Sequence, residues 1–274
     1  MLEEPIVKVE NLWFRYEREW VLRRVNLEVY SGEMLALIGR NGSGKSTLLK
    51  LIAGLLKPVK GRVTVAGVDT KRFKASKLAS LASYMHQEPT QQLFALSVRE
   101  EIRLGLKFMG LSEGEIETRL SRIVRELALE EVLDLNPRFL SRGDKQKVVL
   151  ASLLVREPKV LLLDEPTTGL DSKTCDEVMR VVKSRVRRGC AAVIATHDLR
   201  NVAKYSDRVA VLHKGSVIAT GSTTEILGNV DLMRSVGLSP LPLALVACKL
   251  DLRPVLDAAS LAEATFKKVN YSEC

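Results

Sequence analysis

One segment of this 274-residue chain has the residue types and spacing that bind phosphate. It reads G-R-N-G-S-G-K-S-T from Gly39 to Thr47. Glycines let the backbone wrap until several N–H groups point at one anion, and a following helix adds the positive end of its dipole. Lys45 supplies a charge for the outer phosphates of a nucleotide, and the Ser46 hydroxyl supplies a ligand for Mg²⁺. The residues predicted to bind are Asn41, Gly42, Ser43, Gly44, Lys45, Ser46 and Thr47.

Two adjacent carboxylates further along the chain complete the same chemistry. Asp164 ends the apolar run V-L-L-L-D, which is typical of a strand buried on both faces, and Glu165 follows it. Open α/β sheets bind ligands at the carboxyl ends of their strands, so Asp164 is predicted to hold the water shell of the magnesium ion. The side chain of the next residue points elsewhere, and Glu165 is therefore predicted to accept a proton from an attacking water.

The hydrophobic pattern predicts the elements that must position these residues. A continuous apolar run at residues 34–38 predicts a buried strand before the glycine-rich turn, and residues 45–56 predict a helix after it. Strands and helices alternate along much of the chain, which predicts an α/β fold with a mostly parallel sheet. Short alternating strands at residues 6–12 and 25–30 and a hairpin arm at residues 61–67 are also predicted.

The interval from about residue 90 to residue 157 has a helical pattern instead. Ser97 and Ser112 each begin an S-x-x-E segment, which predicts a capping box at the start of a helix. An apolar stripe at helical spacing follows the second segment and predicts core packing. Its members are Ile116, Leu120, Ile123, Val124 and Leu127.

Late in this interval, residues 140–146 read L-S-R-G-D-K-Q and resemble the L-S-G-G-Q signature of ABC-type ATPases. Other motifs of that family are matched in the same order along the chain. They are Tyr16 (the aromatic residue that stacks on adenine), Gln87 (Q-loop), Asp171 (D-loop) and His197 (switch histidine). With the phosphate loop and the acidic pair, the matched motifs cover roughly residues 5–228. The resemblance implies a P-loop NTPase core with a mostly parallel sheet, an antiparallel β arm and a helical subdomain at about residues 90–157.

The same resemblance implies that ATP, bound with Mg²⁺, is hydrolysed between two ATPase subunits. Gln87 is expected to join Ser46 and Asp164 around the metal ion. Glu165 is expected to act as general base, while His197 positions the γ-phosphate. The side that reaches the ATP of the other subunit is expected to comprise Ser141, Gly143, Asp144 and Asp171.

The signature departs from the family pattern at two positions. Arg142 stands where the family has glycine, and Asp144 stands where it has glutamine. Arg142 adds bulk and charge beside the expected phosphate site, so it either helps to bind the γ-phosphate or crowds the closing dimer. Gly143 is retained, and the signature is expected to be competent. Whether the second subunit is another copy of this chain or a homologue stays open.

Two features resemble one branch of the family, the ATPases of energy-coupling-factor (ECF) importers. Gln92, Leu93 and Phe94 match the second glutamine and the L-F pair of their Q-loop region, whose surface near residues 87–94 would receive a coupling helix. Residues 230–274, beyond an ATPase domain at 1–229, resemble their C-terminal pairing segment. The resemblance implies a second ATPase subunit, a coupling transmembrane subunit and a substrate-capturing membrane subunit, importing vitamins, cobalt or nickel. The chain would then lie on the cytoplasmic face of a prokaryotic cell membrane.

Composition limits the alternatives. Forty-two Lys and Arg against 33 Asp and Glu give a net charge of +9, which suits phosphorylated ligands, an anionic membrane surface or nucleic acid. The densest basic run, at residues 180–188, is predicted to be a solvated helix face, and nucleic acid is not expected. No apolar stretch approaches the roughly 20 residues of a membrane span, and the polar start E-E-P at residues 3–5 leads us to expect no signal peptide. A conventional importer subunit and a soluble ABC ATPase acting on nucleic acid or ribosomes remain the alternatives.

Overall fold

The computed structural model describes residues 4–73, 78–107 and 109–272. Its strands lie in two sheets, a six-stranded sheet of order β10-β9-β3-β8-β7-β6 and a four-stranded sheet of order β2-β1-β4-β5. The strands are β1 (Val7–Tyr16), β2 (Glu19–Val29), β3 (Met34–Ile38), β4 (Lys60–Val65), β5 (Val68–Asp69), β6 (Ala82–Met85), β7 (Val160–Asp164), β8 (Ala191–Ala195), β9 (Arg208–His213) and β10 (Ser216–Ser222).

The six-stranded sheet is parallel except for β10, which returns from β9 as an antiparallel hairpin. Every residue of β3, β7 and β8 is buried, because both faces of these strands are covered. Alternate residues therefore join different clusters: Leu161 and Leu163 pack with the helical side, whereas Leu162 packs toward the four-stranded sheet. The mostly parallel sheet predicted from the alternation of elements is confirmed.

The four-stranded sheet is wholly antiparallel and supplies the predicted β arm. Both of its first strands are longer than the predicted segments 6–12 and 25–30, since β1 continues to Tyr16 and β2 begins at Glu19. Arg23 donates its amide hydrogen to the carbonyl of Gly215 at 2.8 Å, which joins β2 to the turn between β9 and β10. A Cβ atom on Gly44, the residue before the first helix, would lie 2.7 Å from Cδ2 of Leu22, so β2 also lies beside the start of that helix.

Helices cover the faces of the central sheet. They are α1 (Lys45–Ile52), α2 (Val98–Leu104), α3 (Glu113–Glu126), α4 (Arg142–Leu154), α5 (Ser172–Arg187), α6 (Leu199–Tyr205), α7 (Thr223–Gly228), α8 (Val230–Ser235), α9 (Pro242–Lys249) and α10 (Ala258–Ser272). The first helix ends at Ile52, four residues before the predicted end at 56, and Gly54 follows with φ 72°. None of the helices in the described part of the chain has the length and apolarity needed to cross a bilayer.

Helices α2, α3 and α4 form the predicted helical region. The stripe on α3 is part of a cluster that also contains residues of α2, α4 and α5, so its prediction as core is confirmed. Ser112 makes a full capping box with Glu115, as predicted. Ser97 caps α2 by accepting from the amide of Glu100. The reciprocal bond, from the Ser97 amide to the Glu100 carboxylate, is absent, so the first predicted capping box was wrong in that half.

The basic run on α5 is not one solvated face, which corrects the prediction made for residues 180–188. Arg185 is buried and its Nη2 lies 2.5 Å from Oε2 of Glu126 on α3. Lys183 lies 2.7 Å from Oδ1 of Asp207. Two of the five charges are therefore paired within the chain, whereas Arg180, Arg187 and Arg188 are exposed as predicted.

Helices α8 and α9 pack against the end of the central sheet. Met233 and Val236 lie in one cluster with Ile38 of β3 and Val211 of β9. Ile38 is the residue directly before Gly39. The segment after residue 229 is thus continuous with the core at the strand that leads into the phosphate loop.

Candidate nucleotide-binding site

The loop between β3 and α1 has a backbone that only glycine allows at two points. A Cβ atom on Gly39 would lie 2.2 Å from the carbonyl oxygen of Leu212 and 2.8 Å from Oγ of Ser43. Gly44 has φ 106°, and a Cβ atom there would lie 2.7 Å from Cδ2 of Leu22. The glycines therefore permit a tight wrap of the loop ahead of the N-terminus of α1, as a phosphate cradle requires.

The side chain of Lys45, the first residue of α1, reaches back into this loop. Its ammonium group donates to the carbonyl oxygens of Gly39 at 2.8 Å and Arg40 at 3.3 Å. Burial lowers the pKa of Lys45, and the nearby carboxylates of Glu165 and Asp164 act in the opposite direction. Ser43 has a buried hydroxyl with no hydrogen-bond partner, an orphan that a bound anion would satisfy.

The remaining loop residues differ in exposure. Asn41 and Gly42 are exposed, Ser46 is half-buried and Thr47 is buried. The structure thus places the tip of the loop at the surface and the first turn of α1 in the interior.

Asp164 ends β7 as predicted, and it is buried. Its Oδ2 accepts a hydrogen bond of 3.1 Å from the hydroxyl of Tyr84 on β6. Burial, followed by the charge of Asp164, raises the pKa of Tyr84, so the phenol stays protonated and donates. Tyr84 was not found from the sequence, because no motif spacing links it to a residue 80 positions later.

Glu165 and His197 lie side by side. Its Oε1 lies 2.9 Å from Nδ1 of His197, and its Oε2 accepts from the hydroxyls of Thr168 at 2.9 Å and Thr196 at 3.3 Å. Glu165 has φ 52°, a left-handed conformation that costs about 1–3 kcal/mol in a non-glycine residue. Such strain is frequent where a side chain must be aimed at a reacting group.

The segment that follows β6 carries Gln87, which is exposed. Its conformation is fixed by Gln92, whose Oε1 accepts from the amide of His86 at 2.7 Å and whose Nε2 donates to the carbonyl of Tyr84 at 3.1 Å. Gln92, known from its sequence only as a feature of the ECF branch, thus also has a structural role. Tyr16 is 46% exposed at the end of β1, with its ring edge-on to Phe14 at 4.9 Å between centroids.

Of the residues expected to reach another subunit, Ser141 and Asp171 are exposed, and Gly143 and Asp144 are half-buried. Ser141 caps α4, since its hydroxyl accepts from the amide of Asp144 at 3.1 Å and donates to the Asp144 carboxylate at 2.6 Å. Asp171 caps α5 through the amides of Lys173 and Thr174. Hydrogen bonds from the Thr174 side chain and these amides lower the pKa of Asp171.

Arg142 is engaged within its own chain. Its Nε donates to the carbonyl oxygen of Thr168 at 3.2 Å, and its Nη2 lies 3.8 Å from Oε1 of Glu88. Neither of the two roles expected from the sequence, a ligand for phosphate or an obstacle to closure, accounts for these contacts.

The donor set fits a magnesium ion that arrives with a nucleotide. Among the residues that the structure describes, no group of three or more His, Cys, Asp or Glu side chains could hold a metal ion. Mg²⁺ binds through one or two carboxylates together with waters and substrate phosphates, so such a cluster is not needed. Asp164 would supply the carboxylate and Ser46 the hydroxyl.

A phosphate loop between a buried strand and a helix, with an acidic pair at the end of a nearby parallel strand, defines a P-loop nucleotide hydrolase. The ABC transporter profile matches residues 22–168. The chain is 39% identical over 243 residues to the energy-coupling factor transporter ATP-binding protein EcfA2 of Clostridium tetani, covering 85% of this chain and 84% of that protein. It is 34% identical over 236 residues to EcfA of Methanocaldococcus jannaschii, covering 85% of each.

Solved structures give the same result. CbiO1 of Clostridium perfringens, part of the ABC transporter complex cbiONQ, superposes with a TM-score of 0.77 at 34% identity and covers 91% of this chain and 100% of its own. The ATP-binding cassette MJ0796, in a dimeric post-hydrolysis state with ADP and phosphate, gives 0.72 at 30% identity, covering 79% of this chain and 98% of its own. This chain belongs to the ABC transporter family, as an ATPase cassette that couples ATP hydrolysis to transport.

Proposed function

We propose that this chain is the ATP-hydrolysing subunit of an ECF-type importer for vitamins or transition-metal ions. It would work at the cytoplasmic face of a prokaryotic membrane with a second ATPase subunit, a coupling transmembrane subunit and a substrate-capturing membrane subunit. The observation that carries the hydrolytic part is the joint placement of Lys45, Asp164, Glu165 and His197 at one end of the central sheet. The relatives named above, which are ECF and CbiO subunits, support the transport part.

In this proposal each side chain has one task. Lys45 and the loop amides bind the phosphates, and Tyr16 stacks on the adenine. Ser46, Asp164 and Gln87 would hold Mg²⁺, which supplies charge neutralisation to the phosphates when it is bound. Glu165 accepts the proton of the attacking water, and His197 positions the γ-phosphate.

The second half of the site comes from the other ATPase subunit. Ser141, Gly143 and Asp144 form the start of α4, a helix N-terminus that suits an anion. Asp171 lies at the start of α5, next along the same surface. The exposure of Ser141 and Asp171 and their local hydrogen bonds support a role across a dimer interface, as does the dimeric state of the related MJ0796 cassette. ATP bound between two subunits stabilises the closed dimer, and its hydrolysis removes that stabilisation.

The coupling helix of the membrane partner is proposed to bind beside the Q-loop. Phe94 and Leu96 are 74% and 77% exposed, far more than apolar side chains of their size usually are. With Leu104 and Ile116 they line a groove of about 550 Å³ on the helical region. An apolar groove of this kind suits an amphipathic helix.

The C-terminal segment is proposed to pair with the second ATPase subunit. Its inner side packs on the core, but its outer side carries exposed apolar side chains. Val246 on α9 is 42% exposed, Leu250 at the end of α9 is 44% exposed, and Phe266 on α10 is 69% exposed. An apolar surface on an appended helical segment is the kind of area that a dimer contact would bury.

The experiment that tests the function is affinity purification of this chain from native membranes solubilised in mild detergent. Recovery of a coupling membrane protein together with a small substrate-capturing one would support the ECF assignment and point to the cargo. Recovery of ribosomes or nucleic acid without a membrane protein would contradict the transport assignment while leaving the ATPase site intact. A membrane partner without a substrate-capturing subunit would favour a conventional importer.

A further inference from the structure

Two side chains of α4, the helix that begins within the signature motif, hold the loop that follows the acidic pair. Gln146 is buried and donates to the carbonyl oxygen of Pro166 at 2.7 Å. Arg142 donates from Nε to the carbonyl oxygen of Thr168 at 3.2 Å. Pro166 is the residue directly after Glu165. Both bonds therefore act on the few residues that follow the general base.

Thr168 connects Arg142 to Glu165. Its carbonyl oxygen accepts from Arg142, its hydroxyl donates to Oε2 of Glu165 at 2.9 Å, and its amide donates to the Glu165 carbonyl at 3.2 Å. One residue thus receives the guanidinium on one side and holds the carboxylate on the other. A shift of Thr168 would move the carboxylate.

The neighbouring residue makes room for the guanidinium. A Cβ atom on Gly169 would lie 2.8 Å from Nε and 3.2 Å from Cζ of Arg142, so a larger residue at 169 would displace the side chain. The ion pair with Glu88 is half exposed and its atoms are 3.8 Å apart, which makes it a minor contribution. The hydrogen bond to the Thr168 carbonyl, from a charged donor, is the stronger contact.

We propose that Arg142 is a positioning residue for the general base of its own chain, acting through Thr168, and not a ligand of the γ-phosphate. The proposal rests on the proposed function, because it takes Glu165 as the base and α4 as the helix that serves the other subunit. The glycine that the family has at this position offers no side chain for the contact. In this chain the start of α4, which faces the second ATP, is therefore tied to the base that acts on the first.

The first test is steady-state ATP hydrolysis by the full chain carrying Arg142→Ala, Arg142→Lys or, as a matched control, Arg125→Ala at an exposed site on α3. Loss of one charged hydrogen bond to the loop is expected to lower kcat about tenfold. The KM for ATP is expected to change less than twofold, since ground-state binding is untouched. Lysine is expected to restore part of kcat because it can reach the same carbonyl. A rise in KM at constant kcat would contradict the proposal and favour phosphate binding.

The second test separates a route through Thr168 from a general structural defect. Thr168→Val removes the hydroxyl that donates to Glu165 and keeps the carbonyl that accepts from Arg142. In that background, Arg142→Ala is expected to lower kcat less than twofold further, because the connection is already broken. If instead the two substitutions lower kcat by independent factors that multiply in the double variant, Arg142 does not act through Thr168.

The third test does not depend on turnover. Hydrogen–deuterium exchange of peptides covering residues 166–171 is expected to speed up in Arg142→Ala and to stay at the wild-type rate in Arg125→Ala. Unchanged exchange would mean that the contact does not hold the loop. If Glu165→Gln hydrolyses ATP at the wild-type rate, Glu165 is not the base and the proposed mechanism falls. If Glu165→Gln is slow but Arg142→Ala is silent in kcat, only the inference about Arg142 falls.

Discussion

At the scale of single residues, the site depends on how one carboxylate is held. Both oxygens of Glu165 are occupied, one by His197 and the other by two threonine hydroxyls. The Glu165→Gln variant keeps the shape and loses the ability to accept a proton. We expect hydrolysis to slow by about 10²–10⁴-fold, the usual contribution of a general base, with ATP binding retained. Single-turnover hydrolysis and equilibrium nucleotide binding measure the two effects separately, and undiminished hydrolysis would exclude Glu165 as the base.

Substitution of the loop lysine, unlike that of Glu165, should affect ATP binding itself. Lys45 is buried and bonded to the loop carbonyls, and its charge is the one that the phosphates would meet. We expect Lys45→Ala to lose ATP binding itself, whereas Lys50→Ala, a half-buried lysine in the last turn of the same helix, should bind normally. Titration with a fluorescent ATP analogue distinguishes these outcomes. Normal affinity in Lys45→Ala would contradict the assignment of the loop.

The sequence predicted the residues that belong to motifs, His197 included, and it missed the hydrogen-bond partners that lie outside any motif used. The phosphate loop and the Asp164–Glu165 pair are each continuous in sequence, so a motif reveals them. Tyr84 on β6 donates to Asp164 from 80 positions away, and Thr196, directly after β8, donates to Glu165 from 31 positions away. Such partners depend on strand order, and the hydrophobic pattern predicts the presence of strands without fixing which of them are adjacent.

At the scale of elements, the starts of helices show which local rules are sufficient. Ser112 and Ser222 form capping boxes with a glutamate three residues later. At Ser97 the same pattern gives only half of the motif. The next residue, Glu101, points its carboxylate back to the amides of Phe94 and Ala95 at 2.7 and 2.8 Å. Beside this half-formed box, Glu101 thus holds the loop that bears the exposed apolar residues.

Carboxylate caps also give a prediction for stability against pH. Hydrogen bonds from Thr174 lower the pKa of Asp171, and those from Ser222 lower the pKa of Glu225. A carboxylate with a lowered folded-state pKa stabilises the fold fully above its unfolded pKa, about 4, and loses that effect as the pH falls through its folded pKa. We expect the denaturation midpoint to be flat from pH 7 to 5 and to fall below pH 4. Asp171→Ala should lower it at pH 7 and weaken the acid-dependent fall; an identical fall would exclude this cap as a contributor.

At the scale of the whole molecule, exposed apolar surfaces lie on two separate additions to the nucleotide-binding core, the helical region and the C-terminal segment. Phe94 and Leu96 represent the first, and Phe266 represents the second. If each surface serves a different partner, a charge on one should leave the other contact intact. We expect Phe94→Asp to abolish recovery of the membrane partner from solubilised membranes, while ATP binding by the purified chain is unchanged.

Phe266→Asp is the reciprocal control for that experiment. We expect it to weaken pairing of the ATPase subunits, measured by sedimentation of the purified chain with its partner subunit, while a single copy is still recovered with the membrane protein. The expectation follows from burial, because a charge on a surface that becomes buried costs several kcal/mol, whereas on a surface that stays in water it costs almost nothing. Loss of the membrane partner in both variants would mean that pairing precedes docking. If Phe94→Asp still recovers the membrane partner, the groove lined by Phe94 and Leu96 is not the docking site. The partner would then have to bind elsewhere on the helical region.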